Sequence, residues 1–220
     1  MRAPDWLTAR PVAHRGLHDR ARGIIENMPG AARAAIDADF GIECDIQLTA
    51  DGEAMVHHDD ALGRLTEGSA ALLGMTAAEI KAVRFTDTSE RMMSLGDLCA
   101  LVAGRVPLVI EVKSHFDGDR KLVARMAEVL ASYRGPVVGM SFDPDQVLAL
   151  RELMPKLPAA SLPNAAMKQP TGRRHRRLSG RACCICATRS APDRISSPIG
   201  STSCRPRRPG SPATFSACRC

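Results

Sequence analysis

The chain has 220 residues, 45% of them hydrophobic and 25% charged, so it is long enough to bury a substantial core within one domain. No apolar run approaches the roughly 18 residues that a membrane helix requires, and the first six residues lack the apolar core of a signal peptide. We therefore expect a cytoplasmic protein without a membrane span.

The formal net charge of +6 conceals two regions of opposite character. Residues 163–220 carry 12 Lys and Arg against one acid, whereas residues 1–162 carry 18 Lys and Arg against 23 Asp and Glu. Six of the eight cysteines also lie in residues 163–220, and two scattered cysteines in the first region are typical of a reducing compartment. Because the main region is acidic, the net positive charge does not predict a nucleic-acid partner, and we expect none.

The first elements in chain order predict a βαβ unit. A short strand over residues 11–16 ends in the polar residues His14 and Arg15, and a loop follows to residue 29. The alanine-rich segment 30–40 has the apolar spacing of a helix. Since another strand follows this helix, the unit implies a parallel sheet.

The stretch from Gly41 to Asp59 predicts a strand, a tight turn at Asp51-Gly52 and a second strand. Alternation of apolar and polar residues places Glu43 and Asp45 on one face of the first strand. Acidic residues on a strand are common on the solvated face of an antiparallel sheet. The alternative is a site for a hard metal ion, with His58 as an adjacent acid or base. The stretch by itself leaves both interpretations open.

The rest of the chain alternates between helices and strands. A polar stretch over 60–93 contains one predicted helix, 76–83, in which Thr76 and Glu79 form a capping box. The later elements are a helix after Ser94, a strand over 106–113, a helix over 119–133, a strand over 137–142, a helix over 143–154 and a strand over 158–162. Six strands are then predicted, most of them separated by helices, which is typical of α/β folds.

Polar side chains collect where these strands end. They are His14, Arg15, Glu43, Asp45, His58, Glu111 and Lys113. Both α/β barrels and doubly wound sheets hold their active sites at the carboxyl ends of strands, so this pattern does not decide between the two folds. No glycine-rich phosphate loop follows a strand, which counts against a nucleotide-binding fold.

Taken together and in order, these residues resemble the motifs of the glycerophosphodiester phosphodiesterases. The matching segments are His14-Arg15-Gly16, Glu26-Asn27, Glu43-x-Asp45, Thr49-x-Asp51-Gly52, His58-Asp59 and Glu111-x-Lys113. The resemblance covers about residues 11–162 and departs from the family pattern at Met28, where the family usually has threonine. It implies a TIM-type (β/α)8 barrel that binds a divalent cation and hydrolyses glycerophosphodiesters to sn-glycerol 3-phosphate and an alcohol.

The resemblance also implies a role for seven residues. These are Glu43, Asp45 and Glu111 as metal ligands, His14 and His58 as the general acid and base, and Arg15 and Lys113 as phosphate-binding residues. Three carboxylates suit a hard cation such as Ca²⁺ or Mg²⁺. His57 faces away from His58 on a strand, so we expect it to be structural. We expect Glu26 and Asn27 only to organise their loop, and they are not included in the predicted site.

Residues 163–220 differ from the rest of the chain. Arg, Cys, Ser and Pro dominate, and no helical or strand periodicity continues. We expect residues 1–162 to form an incomplete barrel with about six of eight strands, followed by an aberrant, disordered tail that results from a shift of reading frame. The alternatives are a basic arm for nucleic acid or anionic membranes and a zinc module built on the tail cysteines. The matching functional alternatives are an inactive truncated product and a binding protein that uses its basic tail.

Overall fold

Helices and strands alternate along the chain in the computed structural model, which describes residues 4–162. The elements are β1 (Val12–Ala13), α1 (Pro29–Asp37), β2 (Gly41–Leu48), β3 (Ala54–Val56), α2 (Ala77–Ala82), α3 (Leu95–Val102), β4 (Leu108–Val112), α4 (Lys121–Leu130), β5 (Val137–Ser141), α5 (Pro144–Leu153) and β6 (Ala159–Ser161). Three short 3₁₀ turns lie at Asp5–Leu7, Arg20–Arg22 and Leu72–Gly74. The predicted tail, 163–220, falls outside the described residues.

All six predicted strands are present in a single sheet. Five of them are parallel, in the order β1-β2-β4-β5-β6, and the two strands of each neighbouring pair in this order are joined through at least one helix. Strands β1 and β2 are themselves joined through α1, which confirms the predicted βαβ unit. The sixth strand, β3, is antiparallel to β2 and pairs with its last residues, so the predicted turn at Asp51-Gly52 closes a hairpin.

Local capping explains where several helices begin. The side chain of Thr76 accepts a hydrogen bond from the backbone of Glu79, and the Glu79 carboxylate accepts one in return, which is the predicted capping box. Ser94 and Asp97 form a second capping box at the start of α3. At α5, the Asp143 carboxylate caps the helix and Pro144 occupies its first turn.

The outer face of the sheet packs against helices α1, α3, α4 and α5. Its core combines alternate residues of β2 and β4 with apolar residues of those helices, among them Ala35, Leu98, Val123 and Leu150. A second apolar cluster, which includes Met55, Ile80 and Phe85, stabilises the long segment between β3 and α3. On the inner face, Leu7 of the first 3₁₀ turn packs with residues of β4 and β5 below the polar strand ends.

Among the helices of residues 4–162, none is long and apolar enough to cross a membrane.

Candidate active site

The pairing of β2 with β4 brings three carboxylates together. Asp45 lies beside Glu111 in the parallel register, and Glu43 precedes Asp45 by two residues on the same face. Glu43, Asp45 and Glu111 are 6%, 0% and 6% exposed, and one carboxylate oxygen from each lies within 4.8 Å of the others. This burial rules out the interpretation of Glu43 and Asp45 as a solvated strand face.

Lys113 neutralises part of the cluster. Its Nζ lies 2.8 Å from Asp45 Oδ1 and 2.7 Å from Glu111 Oε1. Burial by itself would raise the pKa of Asp45, but the ion pair with Lys113 and a hydrogen bond from Asn27 outweigh it and lower the pKa. Burial dominates at Glu111 and raises its pKa despite the same lysine. Asp45 is therefore the carboxylate that the surrounding side chains hold most firmly in its ionised form.

Only one of the two carboxylate oxygens of Glu43 has a hydrogen-bond donor among residues 4–162. Its Oε2 accepts a hydrogen bond of 2.9 Å from the backbone N–H of Arg15, whereas its buried Oε1 has no hydrogen-bond partner. Burial and the neighbouring Asp45 carboxylate raise the pKa of Glu43 to about 8. A buried acceptor without a donor, next to two further carboxylates, is a donor set that a hard divalent cation would satisfy with oxygen ligands. The three residues present therefore fit a divalent metal ion.

Arg15 reaches this cluster because its backbone takes a left-handed conformation with φ of 57°. The next residue, Gly16, also has a positive φ, and a Cβ there would lie 2.8 Å from the Cβ of Ala31, so only glycine fits. The Arg15 side chain donates a hydrogen bond of 2.8 Å to Glu26, and its Nε lies 3.5 Å from Asp45 Oδ2. Its backbone and its side chain thus contact two of the cluster's carboxylates.

Asn27 and Glu26 do more than organise their loop, contrary to our expectation, because each binds a predicted site residue. The Asn27 side chain donates a hydrogen bond of 2.9 Å to Asp45 Oδ2 and is itself buried. Glu26 binds the guanidinium of Arg15, and its pKa falls to about 2 because hydrogen bonds from two arginines outweigh the effect of burial. Their position within the quoted Glu26-Asn27 motif was the signal that could have identified them.

The two predicted catalytic histidines approach the cluster from different loops. His14 Nε2 lies 3.8 Å from Glu43 Oε2, and its side chain is 68% exposed. Partial burial and the adjacent Arg15 lower the pKa of His14, which favours the neutral ring at pH 7. His58 follows β3, and its Nδ1 lies 2.7 Å from Asp59 Oδ1. Hydrogen bonds from Arg64 and His58 outweigh burial and lower the pKa of Asp59, so its carboxylate is ionised at neutral pH. It therefore accepts the hydrogen bond from His58 Nδ1, which leaves His58 Nε2 available.

His57, by contrast, lies away from solvent, although β3 ends at Val56 and His57 and His58 therefore follow the strand rather than alternate along it. It is 4% exposed, its backbone N–H donates to the carbonyl of Asp45, and its ring packs edge-on against Phe85. Burial lowers its pKa, so the ring remains neutral.

An open cleft of about 300 Å³ adjoins the cluster on the side of β5. Its lining includes Glu111, Lys113 and the exposed rings of Phe116 and Phe142. Ser114 donates a hydrogen bond of 2.5 Å to Asp143, which links the loop after β4 to the start of α5. The cleft gives a small molecule access to Glu111, one of the three carboxylates.

Comparison with known proteins identifies the family. The model of the glycerophosphoryl diester phosphodiesterase family matches residues 14–183. The chain belongs to this family. This finding confirms the resemblance deduced from the motifs.

Curated relatives agree with this assignment. The chain is 30% identical over 172 residues to the glycerophosphodiester phosphodiesterase of Caldanaerobacter subterraneus subsp. tengcongensis, which covers 72% of this chain and 68% of that protein. It is 27% identical over 184 residues to a glycerophosphodiester phosphodiesterase of Bacillus subtilis, covering 73% of this chain and 60% of that protein.

Solved structures of glycerophosphodiester phosphodiesterases confirm the predicted TIM-type barrel fold. A phosphodiesterase of Oleispira antarctica, in complex with the product sn-glycerol-3-phosphate, superposes with a TM-score of 0.63 at 22% identity, over 69% of this chain and 65% of that one. A glycerophosphodiester phosphodiesterase of Thermotoga maritima superposes with a TM-score of 0.57 at 26% identity, over 70% of this chain and 62% of that one. The chain thus spans less than two thirds of the length of these solved relatives.

Proposed function

We propose that the protein hydrolyses glycerophosphodiesters to sn-glycerol 3-phosphate and an alcohol at the carboxylate cluster of β2 and β4. The observation that carries this proposal is the buried group Glu43, Asp45 and Glu111, with oxygens within 4.8 Å of one another. Family membership supports the reaction class, and the presence of the same product in the Oleispira structure supports the substrate class.

Glu43, Asp45 and Glu111 would hold a single divalent cation, Ca²⁺ or Mg²⁺. When bound, such an ion offsets the negative charge of a phosphoryl oxygen and acidifies a coordinated hydroxyl or water. The free Oε1 of Glu43 supports this assignment, because no protein group satisfies it among residues 4–162.

Arg15 and Lys113 would bind the phosphate. The planar guanidinium of Arg15 can donate two parallel hydrogen bonds to phosphate oxygens, whereas Lys113 acts as a compact charge. Lys113 is paired with Asp45 and Glu111, and its pKa is raised because those partners outweigh burial, so it remains protonated at neutral pH.

His14 and His58 would serve as the general acid and base. One imidazole takes the proton of the attacking nucleophile as the new P–O bond forms, and the other donates a proton to the departing alcohol oxygen as the old P–O bond breaks; water supplies the oxygen that the phosphate product gains. The Asp59 carboxylate supports this role at His58, since it accepts from Nδ1 and keeps Nε2 as the reactive nitrogen. Each proton transfer typically contributes about 10²–10⁴-fold to the rate.

We also place the protein in the cytoplasm, with small-molecule substrates and no nucleic-acid partner. The free thiols of Cys44 and Cys99, both buried, support a reducing compartment.

The experiment is an assay of sn-glycerol 3-phosphate release from glycerophosphocholine and glycerophosphoethanolamine. Protein dialysed against EDTA should be inactive, and Ca²⁺ or Mg²⁺ added singly should restore release. Glu111→Gln should abolish release, whereas Asp37→Asn, an exposed acid at the end of α1, should leave it unchanged. Release that survives chelation or Glu111→Gln would contradict the proposed site. If the wild-type protein releases no product with either cation, the alternative of a catalytically inactive truncated protein would be favoured.

A further inference from the structure

Arg64 lies between two carboxylates on different loops. Its Nε donates a hydrogen bond of 2.5 Å to Asp59 Oδ2, and its Nη2 donates one of 2.6 Å to Glu26 Oε1. A third, longer bond of 3.2 Å joins Nη1 to Glu26 Oε2, so the guanidinium grips both oxygens of Glu26. The loop after β1 and the loop after β3 are therefore joined by one side chain.

Each of these carboxylates also binds a residue of the proposed site. Asp59 uses its other oxygen, Oδ1, to accept from His58 Nδ1 at 2.7 Å. Glu26 Oε1 accepts from Arg15 Nη1 at 2.8 Å as well as from Arg64. A continuous set of charged hydrogen bonds consequently runs from Arg15 through Glu26, Arg64 and Asp59 to His58.

Because the Arg64 side chain is partly exposed, we expect its ion pairs to orient the two carboxylates more than they stabilise the fold. The Arg64 side chain is 44% exposed, whereas those of Glu26 and Asp59 are 15% and 24% exposed. An ion pair of an exposed arginine typically stabilises a fold by less than about 1 kcal/mol. Its planar fork nevertheless fixes the directions of the carboxylates that it binds. Asp59 accepts from only Arg64 and His58 within residues 4–162, so Arg64 sets the plane in which His58 is held.

We propose that Arg64 is a positioning residue of the site, which holds Asp59 so that His58 keeps its reactive tautomer, and holds Glu26 so that Arg15 stays aligned for the phosphate. This inference rests on the proposed function and adds to it a residue that contacts none of the reacting atoms. The arm through Asp59 acts on proton transfer and therefore on kcat, and the arm through Glu26 acts on phosphate binding and therefore on KM.

The first test compares Arg64→Ala with Arg84→Ala. Arg84 is also exposed, and its side chain makes no hydrogen bond or ion pair with any residue from 4 to 162, so it is a matched control. We expect Arg64→Ala to lower kcat by roughly 10–100-fold, the effect typical of groups that orient a reactive ligand, with a melting temperature equal to that of Arg84→Ala. Arg64→Lys should recover only part of kcat, since one ammonium cannot bind both carboxylates with a fork. Equal kcat values in the two alanine variants would overturn the proposal.

A double-mutant cycle tests whether Arg64 acts through Asp59. In the Asp59→Asn background, Arg64→Ala should cost kcat several-fold less than it does in the wild-type protein, because the arm to His58 is already broken. Strict additivity of the two substitutions in kcat would show that Arg64 acts elsewhere.

An NMR measurement separates this inference from the proposed function. The ¹⁵N shifts of the His58 ring, assigned by their loss in His58→Gln, should report a neutral ring protonated at Nδ1 in the wild-type protein. In Arg64→Ala the ring should become a mixture of tautomers, whereas Arg84→Ala should leave it unchanged. If the wild-type protein releases no product, the proposed function fails, yet the ring shifts still decide the role of Arg64. Unchanged shifts in Arg64→Ala would overturn it.

Discussion

Strand β2 presents Ile42, Cys44 and Ile46 to the helices on its outer face and Glu43 and Asp45 to its inner face, and each of these five residues is at most 6% exposed. The outer side chains are buried in a continuous apolar core, where removal from water stabilises the fold by about 25 cal/mol per Å². The inner side chains are buried just as deeply but depend on Lys113, Arg15 and Asn27 for partners.

The difference shows how one strand serves stability and chemistry at once. Burial of an apolar side chain is favourable in itself, whereas burial of a carboxylate is unfavourable unless a cation or hydrogen-bond donors compensate it. On the inner face Lys113 lies 2.8 Å from Asp45 Oδ1 and Asn27 donates to Asp45 Oδ2 at 2.9 Å, whereas Glu43 Oε1 has no donor within residues 4–162. The outer face of β2 therefore stabilises the fold, whereas the inner face leaves one oxygen of Glu43 without a hydrogen-bond donor among residues 4–162.

Asp45→Asn should have the largest effect on the function of the inner face. The substitution removes one proposed metal ligand and one anionic partner of Lys113, so we expect a loss of about 10³-fold in kcat/KM, which equals about 4 kcal/mol of transition-state stabilisation. Calorimetric titration with Ca²⁺ should show a matching loss of affinity.

The control for Asp45→Asn is Asp37→Asn, which removes an exposed carboxylate from α1. It should leave both affinity and turnover at wild-type values. An Asp45→Asn variant that binds Ca²⁺ as tightly as the wild-type protein would show that Asp45 is a partner of Lys113 alone.

Ile46→Ala should break the outer face instead. Ile46 is 0% exposed within the core shared with the helices, and such truncations cost about 2–5 kcal/mol of unfolding free energy because they leave a cavity. Urea unfolding measures this loss. At a temperature where the variant is folded, its affinity for Ca²⁺ should equal that of the wild-type protein, and a large drop in affinity would mean that the two faces are not separable.

Much of this fold follows from local sequence patterns. The βαβ unit, the hairpin turn at Asp51-Gly52 and the capping box of α2 rest on periodicity and on residues within four positions of one another, and the structure contains all of them. The resemblance grouped Glu43, Asp45 and Glu111, and the parallel pairing of β2 with β4 places them together, although β2 continues past Asp45 to Leu48.

What the sequence did not reveal depends on contacts between distant residues. Alternation along β2 left open a solvated face, because it could not show that the inner face is covered as well as the outer one. Asn27 binds Asp45 across 18 residues, and Arg64 binds Glu26 across 38, so neither pairing has a local signature. The left-handed backbone of Arg15 was equally hidden, since that conformation is usually indicated by glycine.

Glu43→Gln should stabilise the folded protein in the absence of metal, in contrast to the truncation of the outer face. Glu43 has a pKa raised to about 8 by burial and Asp45, so its ionised form is unfavourable in the folded protein without metal. The unfolded chain releases this proton near the ordinary glutamate pKa, so the folded state binds more protons between those two values. The stability contributed by protonated Glu43 is therefore present at low pH and is lost as pH rises through about 8.

The measurement for Glu43→Gln is urea unfolding in EDTA at pH 6 and pH 9. We expect the variant to exceed the wild-type protein by about 1–2 kcal/mol at pH 9, with a smaller difference at pH 6, while its metal-dependent turnover is lost. Adding Ca²⁺ should stabilise the wild-type protein and not the variant. A variant less stable than the wild-type protein at pH 9 would show that Glu43 is fully compensated by the protein itself.

Cys44→Ala should have the smallest effect, although Cys44 lies between the two inner carboxylates in sequence. Its side chain belongs to the outer core, and it is 1% exposed. Loss of the buried sulfur should cost about 1 kcal/mol of unfolding free energy, comparable to one buried methylene, and should leave kcat/KM and Ca²⁺ affinity unchanged. Because the direct neighbours of Cys44 are the proposed metal ligands, unchanged turnover in this variant would demonstrate that the face of the strand, rather than the position in the sequence, decides what a residue of β2 does. A tenfold loss would refute that separation.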